Sequence, residues 1–299
     1  MKMQIRHKVN SANEIAAFIS KLNSLKQHHV GFIGENEQEI QESIEQEFGD
    51  QHSLEKLFTL AYDHDILCGL IGFNADFPEM KAEIWGPYIL EHSGDYQHIA
   101  SELWEAGINK LNGQINESHG FYNQENSNAN QWMINLGAQK KSEQMILKLY
   151  KPEAPFKLNH PVQEITPEHF ASFIELHDQA FPNTYYDGRE IIDKLDEHCR
   201  LFIVPVSDEV VGGYCYIEAN PAFKEGSVEF ISVAEELRQK GIGKSLLCRG
   251  LNELLFNLNI EEISLCVDAS NEGAIRMYES SGFSRENILN FYIKDESGK

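Results

Sequence analysis

The sequence is poor in cysteine, proline and positive charge, and it holds no long apolar run. Its 299 residues include only 5 cysteines and 9 prolines. The cysteines (Cys68, Cys199, Cys215, Cys248, Cys266) are scattered, with no two at CxxC spacing. That argues against a zinc ribbon and against a disulfide scaffold. Single cysteines inside apolar runs read as buried thiols of a reducing compartment. No stretch reaches the ~18 apolar residues of a membrane span. The opening MKMQIRHKVN lacks the apolar core of a secretory signal, so the expected location is the cytoplasm. Basic residues number 25 against 47 acidic ones, for a net charge of -22. Both halves share the deficit: residues 1–154 carry 12 basic and 22 acidic side chains, residues 155–299 carry 13 and 25. This disfavours nucleic acid and anionic membrane as partners, because phosphate binding needs a basic face. It suits a cationic substrate such as an amine, and it equally serves solubility alone. The 12 histidines form no ligand pattern. His28-His29, and His64 between Asp63 and Asp65, read as polar loop positions, and no metal is expected. The acidic run 35–50 reads as a solvated helix face.

Three of the prolines fall in KPEAPFKLNHP (151–161), which reads as a linker between two blocks, 1–150 and 162–299. In the second block, VQEI is a short strand and PEHFASFIELHDQAF a helix with Pro167 in its first turn. GREIIDKLDEHC is a second helix; RLFIVPV and VVGGYCYIEA form a hairpin turned at Ser207-Asp208-Glu209. The strand SVEFISV, the helix KSLLCRGLNELLFNL and the strand ISLCV follow. NEGAIRMYESSGF is a helix capped by Asn271 and ended at Gly282, before one or two final strands. The first block runs similarly: MQIRHKV, then the helices SANEIAAFISKLNSL and EQEIQESIEQEF. The hairpin KLFTLAYDHDILCGLIGF, the strand AEIWGPYIL and the helices IASELWEAGINKL and NSNANQWMINLG complete it. Asn126, Ala129 and Gly137 repeat as Asn271, Ala274 and Gly282 at one offset of 145. Two copies of one α/β domain are expected.

Between SVEFISV and its helix stands RQKGIG, with Arg238, Gly241 and Gly243 at Arg-x-x-Gly-x-Gly spacing. Glycine lets the backbone turn sharply and approach a ligand closely. The first amides of the helix lack internal partners, and the dipole adds positive potential there. Arg238, Lys240 and Lys244 surround the turn, so it reads as an anion cradle for a phosphorylated cofactor. GKS (243–245) ends like a nucleoside triphosphate loop, but that loop needs glycine where Arg238 stands. A dinucleotide fold needs G-x-G-x-x-G, which these glycines do not match.

The stretch 228–283 resembles the GNAT superfamily of acyl-CoA-dependent N-acyltransferases. RQKGIG is similar to its pyrophosphate loop, and ISLCVDASNEGAIRMYESSGF to its next segment, Asn-x-x-Ala-x-x-x-Tyr-Glu-x-x-Gly-Phe. The resemblance implies two tandem mixed, mostly antiparallel sheets flanked by helices, each with a splayed central strand pair. It implies acetyl-CoA as co-substrate, cradled by Arg238, Gln239, Lys240, Gly241, Ile242, Gly243 and Lys244. Ile231, Ser232 and Val233 would offer backbone groups to the pantetheine, and Asn271 would lie near its arm. Tyr278 matches the tyrosine that protonates the departing thiolate; a core aromatic is the alternative. Glu229 is the candidate base, directly or through water, against a merely solvated strand carboxylate. Tyr185 and Tyr186, in FPNTYYDG (181–188), are candidate acceptor-site residues, or simply cover the core.

The first block departs from this pattern. His98 stands at the place of Gly241, Ala100 at that of Gly243, Asp95 near that of Arg238 and Met133 at that of Tyr278. It reads as a degenerate copy. Its helices carry Trp104 and Trp132, which need burial. The expected activity is transfer of an acetyl group to a primary amine of a small molecule or peptide, by a monomer or homodimer. A non-catalytic CoA-binding or sensor protein is the alternative; the intact cradle and Tyr278 favour the enzyme.

Overall fold

The computed structural model describes residues 3–6, 11–49, 51–111, 113–182 and 184–296. It divides into two units, Met1–Gln144 with Asn287–Lys299, and Met145–Glu286. This departs from the division at 151–161: the last strand of the chain from Asn287 on belongs to the first unit, and residues 145–150 to the second.

In unit 1 the strands are β1 (Met3–Arg6), β2 (Phe58–Asp63), β3 (Ile66–Asp76), β4 (Lys81–Ile89) and β5 (Glu117–Asn123). The sheet runs in that order and is closed by β12 (Ser284–Asp295), whose Leu289–Asp295 pair antiparallel with β5. The first strand was expected over MQIRHKV; His7–Val9 lie outside the described residues. Helices α1 (Ala12–Asn23), α2 (Glu37–Glu47), α3 (Gln51–Leu57), α4 (Tyr96–Leu111) and α5 (Ser127–Asn135) cover the sheet. Ser11 caps α1 by accepting from the Glu14 amide at 3.2 Å. Ile15, Ile19 and Leu22 then recur on its buried face. The acidic α2 likewise turns Ile40 and Ile44 inward. Trp104 and Trp132 are buried and meet edge to face at 5.6 Å. His28 corrects an expectation. It is 5% exposed rather than a polar loop residue, and burial pushes its imidazole pKa down.

Unit 2 holds Met145–Tyr150 of β6 (Gln139–Tyr150), then β11 (Glu262–Asp268), β10 (Glu225–Val233), β9 (Val211–Asn220), β8 (Cys199–Pro205) and β7 (Gln163–Glu164), in that order. Helices α6 (Phe170–Ala180) and α7 (Gly188–Lys194) pack on one face, where Phe173, Ile191, Tyr214, Tyr216 and Phe230 form a core. Helix α8 (Ile242–Asn252), continued by a π-helical turn to Asn257, packs on the sheet; its Gly250 comes close to Cys215 and Ile217. Helix α9 (Glu272–Glu279) precedes the last strand.

The helix expected over GREIIDKLDEHC stops at Lys194. The Asp196 carboxylate takes the amides of His198 and Cys199 at 2.7 Å each, which turns the chain into β8. The tail is one strand, and β5, β6 and α3 had not been expected. Three cysteines are buried, as expected; Cys199 is half-buried and Cys266 exposed.

The repeat is visible in detail. Both units order four antiparallel strands, β1 to β4 and β7 to β10, before a parallel step, β4 to β5 and β10 to β11. In both, the parallel pairing lasts three residues: Lys81–Glu83 against Glu117–His119, and Glu225–Ser227 against Glu262–Ser264. Beyond it the strands splay.

Candidate active site

In unit 2 the splay opens a cleft of about 530 Å³. Its walls are the far half of β10, the 238–244 turn, the end of β11 and α9. After Val233 the chain makes a 3-10 turn and then takes left-handed backbone at Gln239 (φ 61°) and Gly241 (φ 82°). Gly241 is the N-cap of α8 and has no side chain to close it, so the first amides of the helix stay open. Unit 1 differs at this point. The Asp95 side chain accepts from the Gln97 amide at 3.0 Å, so α4 is closed by its own carboxylate.

The three cations of the turn bond neutral groups. Arg238 Nε donates to the Val233 carbonyl at 3.0 Å, Lys240 Nζ to the Glu236 carbonyl at 3.0 Å and Lys244 Nζ to Ser280 Oγ at 3.1 Å. Their charge is therefore not spent on a carboxylate among the described residues, and a pyrophosphate fits an open helix end so surrounded. Ile231, Ser232, Val233, Arg238, Gln239, Gly241, Gly243 and Lys244 all border the cleft. Lys240 and Ile242 do not. The Lys240 side chain lies along the preceding turn, its carbonyl bonded to His160 Nε2 at 2.7 Å, and Ile242 faces the core.

Asn271 caps α9, accepting from the Ala274 amide at 3.1 Å, and borders the cleft. Tyr278 lies one helical turn after Ala274, its ring 5% exposed and edge-on to Phe283 at 5.9 Å. Its hydroxyl makes no hydrogen bond among the described residues. Burial pushes its pKa well up, so the phenol stays neutral and able to donate. Glu229 is the extra residue of a bulge, where the register of β10 on β9 shifts between Val228 and Phe230. Bulges re-aim a side chain, and Glu229 borders the same cleft as Tyr278.

Tyr185 and Tyr186 stand beside the cleft rather than on its wall. The Tyr185 hydroxyl donates to Glu229 Oε2, and its ring lies 5.0 Å from Phe230. The Tyr186 ring carries the Lys194 ammonium at 4.5 Å. Sequence reasoning missed Glu218, whose Oε1 accepts from the Tyr216 hydroxyl at 2.7 Å. Burial pushes the Glu218 carboxyl up, and the nearby Glu229 adds to this. It also missed Cys266, exposed on the cleft wall. Alternation along β9 carried a signal for Glu218 and Tyr216 on one face, but not their nearness to Glu229, which the bulge creates.

In unit 1 the corresponding splay is filled by the chain itself. Gly31 donates its amide to the Phe121 carbonyl at 2.9 Å, and Asn123 donates to the His29 carbonyl at 3.2 Å. The Tyr122 hydroxyl reaches across to the Gly86 carbonyl at 2.8 Å. Met133, fully buried, stands where unit 2 has Tyr278.

Residues 164–283 match the model of the acetyltransferase (GNAT) family. An N-alpha-acetyltransferase of Sulfurisphaera tokodaii is 31% identical over 132 residues, 41% of this chain and 78% of that protein. One from Saccharolobus solfataricus is 33% identical over 114 residues, 35% of this chain and 68% of the other. Among solved structures, a GCN5-related N-acetyltransferase from Sphaerobacter thermophilus shares the fold at TM-score 0.76 and 16% identity, covering 98% of this chain and 95% of its own. A tandem GNAT protein from the clavulanic acid biosynthesis pathway aligns over 100% of both chains at TM-score 0.60 and 12% identity.

Proposed function

From the premise that the chain belongs to the GNAT family of acetyltransferases, we propose that unit 2 moves an acetyl group from acetyl-CoA to a primary amine, the N-terminal amine of a peptide being the first acceptor class to test. The observation that carries this reading is one cleft bordered by the open end of α8, the edge of β10 beyond its pairing with β11, Glu229 and Tyr278. The first two suit a pyrophosphate and an extended amide-bearing arm. The last two supply acid–base groups to the same space.

The residues act as follows. The 238–244 turn holds the pyrophosphate through its amides, with Arg238 and Lys244 around it. The edge of Ile231–Val233 pairs with the arm. Glu229 takes the proton of the incoming ammonium, directly or through one water. The amine nitrogen then bonds to the acetyl carbon as that carbon's bond to sulfur breaks. Tyr278 donates its phenolic proton to the departing thiolate and is reprotonated, through solvent, by the second proton that the nitrogen releases as the amide forms. A site bordered by Glu229 and near Glu218 also favours a cationic acceptor. The relatives named N-alpha-acetyltransferase support a peptide amine, and a small amine fits the same chemistry. Cytoplasmic location is part of the proposal. No helix among the described residues is long and apolar enough to cross a membrane.

The test is thiol release from acetyl-CoA in the presence of a panel of peptides and small amines, with mass spectrometry of each acceptor. Release that depends on both protein and acceptor, with an acetylated product, supports the reading. Tight CoA binding with no product across the panel favours a binding or sensor protein.

A further inference from the structure

We propose that His177 is a positioning residue for the acceptor side of the cleft: through Tyr186 it holds Tyr185 on Glu229. The inference rests on the reading of Tyr185 and Tyr186 as acceptor-side residues. His177 sits on α6 and is fully buried among aromatic rings, with Phe230 edge-on at 4.8 Å and Phe181 at 5.5 Å. Phenylalanine would suit those neighbours better, since an imidazole buried there costs free energy unless its nitrogens are satisfied. They are satisfied by partners on two different elements. Nε2 lies 2.9 Å from the Tyr186 carbonyl, and Nδ1 lies 2.6 Å from the Tyr214 hydroxyl on β9. A carbonyl only accepts, so Nε2 carries a proton, and Nδ1 faces the Tyr214 hydroxyl, which can both donate and accept.

One ring thus ties α6, the sheet and the Tyr185–Tyr186 segment together. Tyr185 is 60% exposed, and its ring touches Tyr186 at 4.8 Å and Phe230 at 5.0 Å. An exposed ring keeps one place only if the backbone beneath it is held, because free rotamers cost entropy to freeze. The hydrogen bond from His177 to Tyr186 does this one residue away from the hydroxyl that meets Glu229. The sheet side of the tether is equally direct, since Tyr214 packs edge-on against Phe173 of α6 at 4.9 Å.

The experiment is a double-mutant cycle on the full chain with His177→Phe, His177→Gln and Tyr185→Phe. It reads KM for an acceptor amine and, separately, acetyl-CoA affinity by calorimetry. His177→Phe is expected to raise acceptor KM about tenfold or more, leaving CoA affinity within about twofold. His177→Gln, whose amide both donates and accepts, should recover most of the loss. Adding Tyr185→Phe to His177→Phe should cost little more, because both act through one contact. Additive effects, an unchanged KM, or a glutamine variant as poor as phenylalanine would overturn the proposal. If His177→Phe does not fold, Tyr214→Phe, which frees Nδ1 of His177, takes its place in the cycle with Tyr185→Phe, where additivity again overturns it. If the wild-type chain acetylates nothing, the functional reading has failed and the tether is read alone. Amide exchange at residues 185–187 should then be faster in the variants, and unchanged exchange overturns it.

Discussion

Asn126 and Asn271 stand 145 residues apart and hold the same local geometry. Their φ/ψ angles are -78°/66° and -82°/67°, and each accepts from the amide three residues on at 3.1 Å. What their side-chain nitrogens meet is different. Asn126 Nδ2 donates to the His29 carbonyl at 3.4 Å, part of the segment that fills the splay of unit 1. Asn271 borders an open cleft. Unit 1 therefore supplies a carbonyl to Asn126 from its own chain; on the proposed reading a ligand takes that place at Asn271.

On the proposed reading the chain should bind one CoA, in unit 2. Titration calorimetry should give one site per chain. Gly241→Asp should abolish binding, because it puts a carboxylate at an anion cradle and a Cβ on left-handed backbone. Gly241→Asn, which tolerates that backbone without the charge, should lose far less. Two sites per chain, or equal affinity in the aspartate variant, would refute the assignment.

Tyr278→Phe should keep CoA affinity and lower turnover by roughly ten- to a thousand-fold, the scale of a lost general acid. Burial raises the pKa of this phenol, so it stays protonated through the pH at which an ordinary tyrosine ionises, about 10. Between pH 7 and about 10 the turnover profiles of wild type and variant should therefore share one shape and differ only in height. Wild-type turnover in the variant, with chemistry rate-limiting, would make Tyr278 a packing residue.

The cradle was legible in the sequence because its signal is local. Arg238, Gly241 and Gly243 lie within six positions, between a strand and a helix that composition alone defines. Asn271 and Tyr278 were legible because one helix fixes their spacing. Glu229 needed more, since a bulge sets its face and alternation cannot reveal a bulge. Glu218 and His177 were beyond reach. Both matter through partners from distant parts of the chain, Glu218 near Glu229 and His177 bonded to Tyr214 and Tyr186. The swapped ends of the two units were hidden for a related reason: β5 and β12 pair across more than half the chain, and nothing local marks that register.

Behind the cleft, Glu253 accepts from Arg200 at 3.2 Å and from Arg249 at 2.8 Å, with its side chain 5% exposed. Burial alone would push its carboxyl up; hydrogen bonds from Arg249 and Asn257 and the two arginine charges outweigh that and hold it below the usual range. A carboxyl with a lowered folded pKa stabilises the fold above its unfolded value, near about 4.3, and this contribution is lost as pH falls. Glu253→Gln should cost about 1–3 kcal/mol at neutral pH by denaturant unfolding, toward the low end because Arg200 keeps Glu164 at 2.6 Å. The difference from wild type should hold from pH 7 to about 5 and shrink as pH falls below about 4, through the lowered folded pKa. A constant difference from pH 7 down to about 3 would show that packing, rather than charge, sets the effect.

The strand exchange between the two sequence blocks sets the outcome of cutting the chain at the expected linker. A fragment of residues 1–154 lacks Leu289–Asp295, which hydrogen-bond along all of β5 from Glu117 to Asn123. That leaves a parallel-paired inner strand as an edge, with Phe121 no longer stacked on Phe291 at 4.5 Å. A fragment of residues 155–299 lacks Met145–Tyr150, which belong to unit 2 beside β11, together with the bond from Ser284 Oγ to the Lys148 carbonyl. Each piece also keeps a strand whose partner has been removed, so each should aggregate or unfold more readily than the whole. Residues 155–299 should bind acetyl-CoA weakly or not at all, and residues 1–154 should not bind it. A design that respects the units, residues 145–286 expressed alone, should bind more tightly than 155–299, because it retains both the cradle and the Met145–Tyr150 part of β6. Calorimetry on the three fragments distinguishes these outcomes. Stoichiometric binding by 1–154 would overturn the reading of unit 1 as a filled copy. A fully active 155–299 would show that β6 and the first unit serve something other than acetyl transfer.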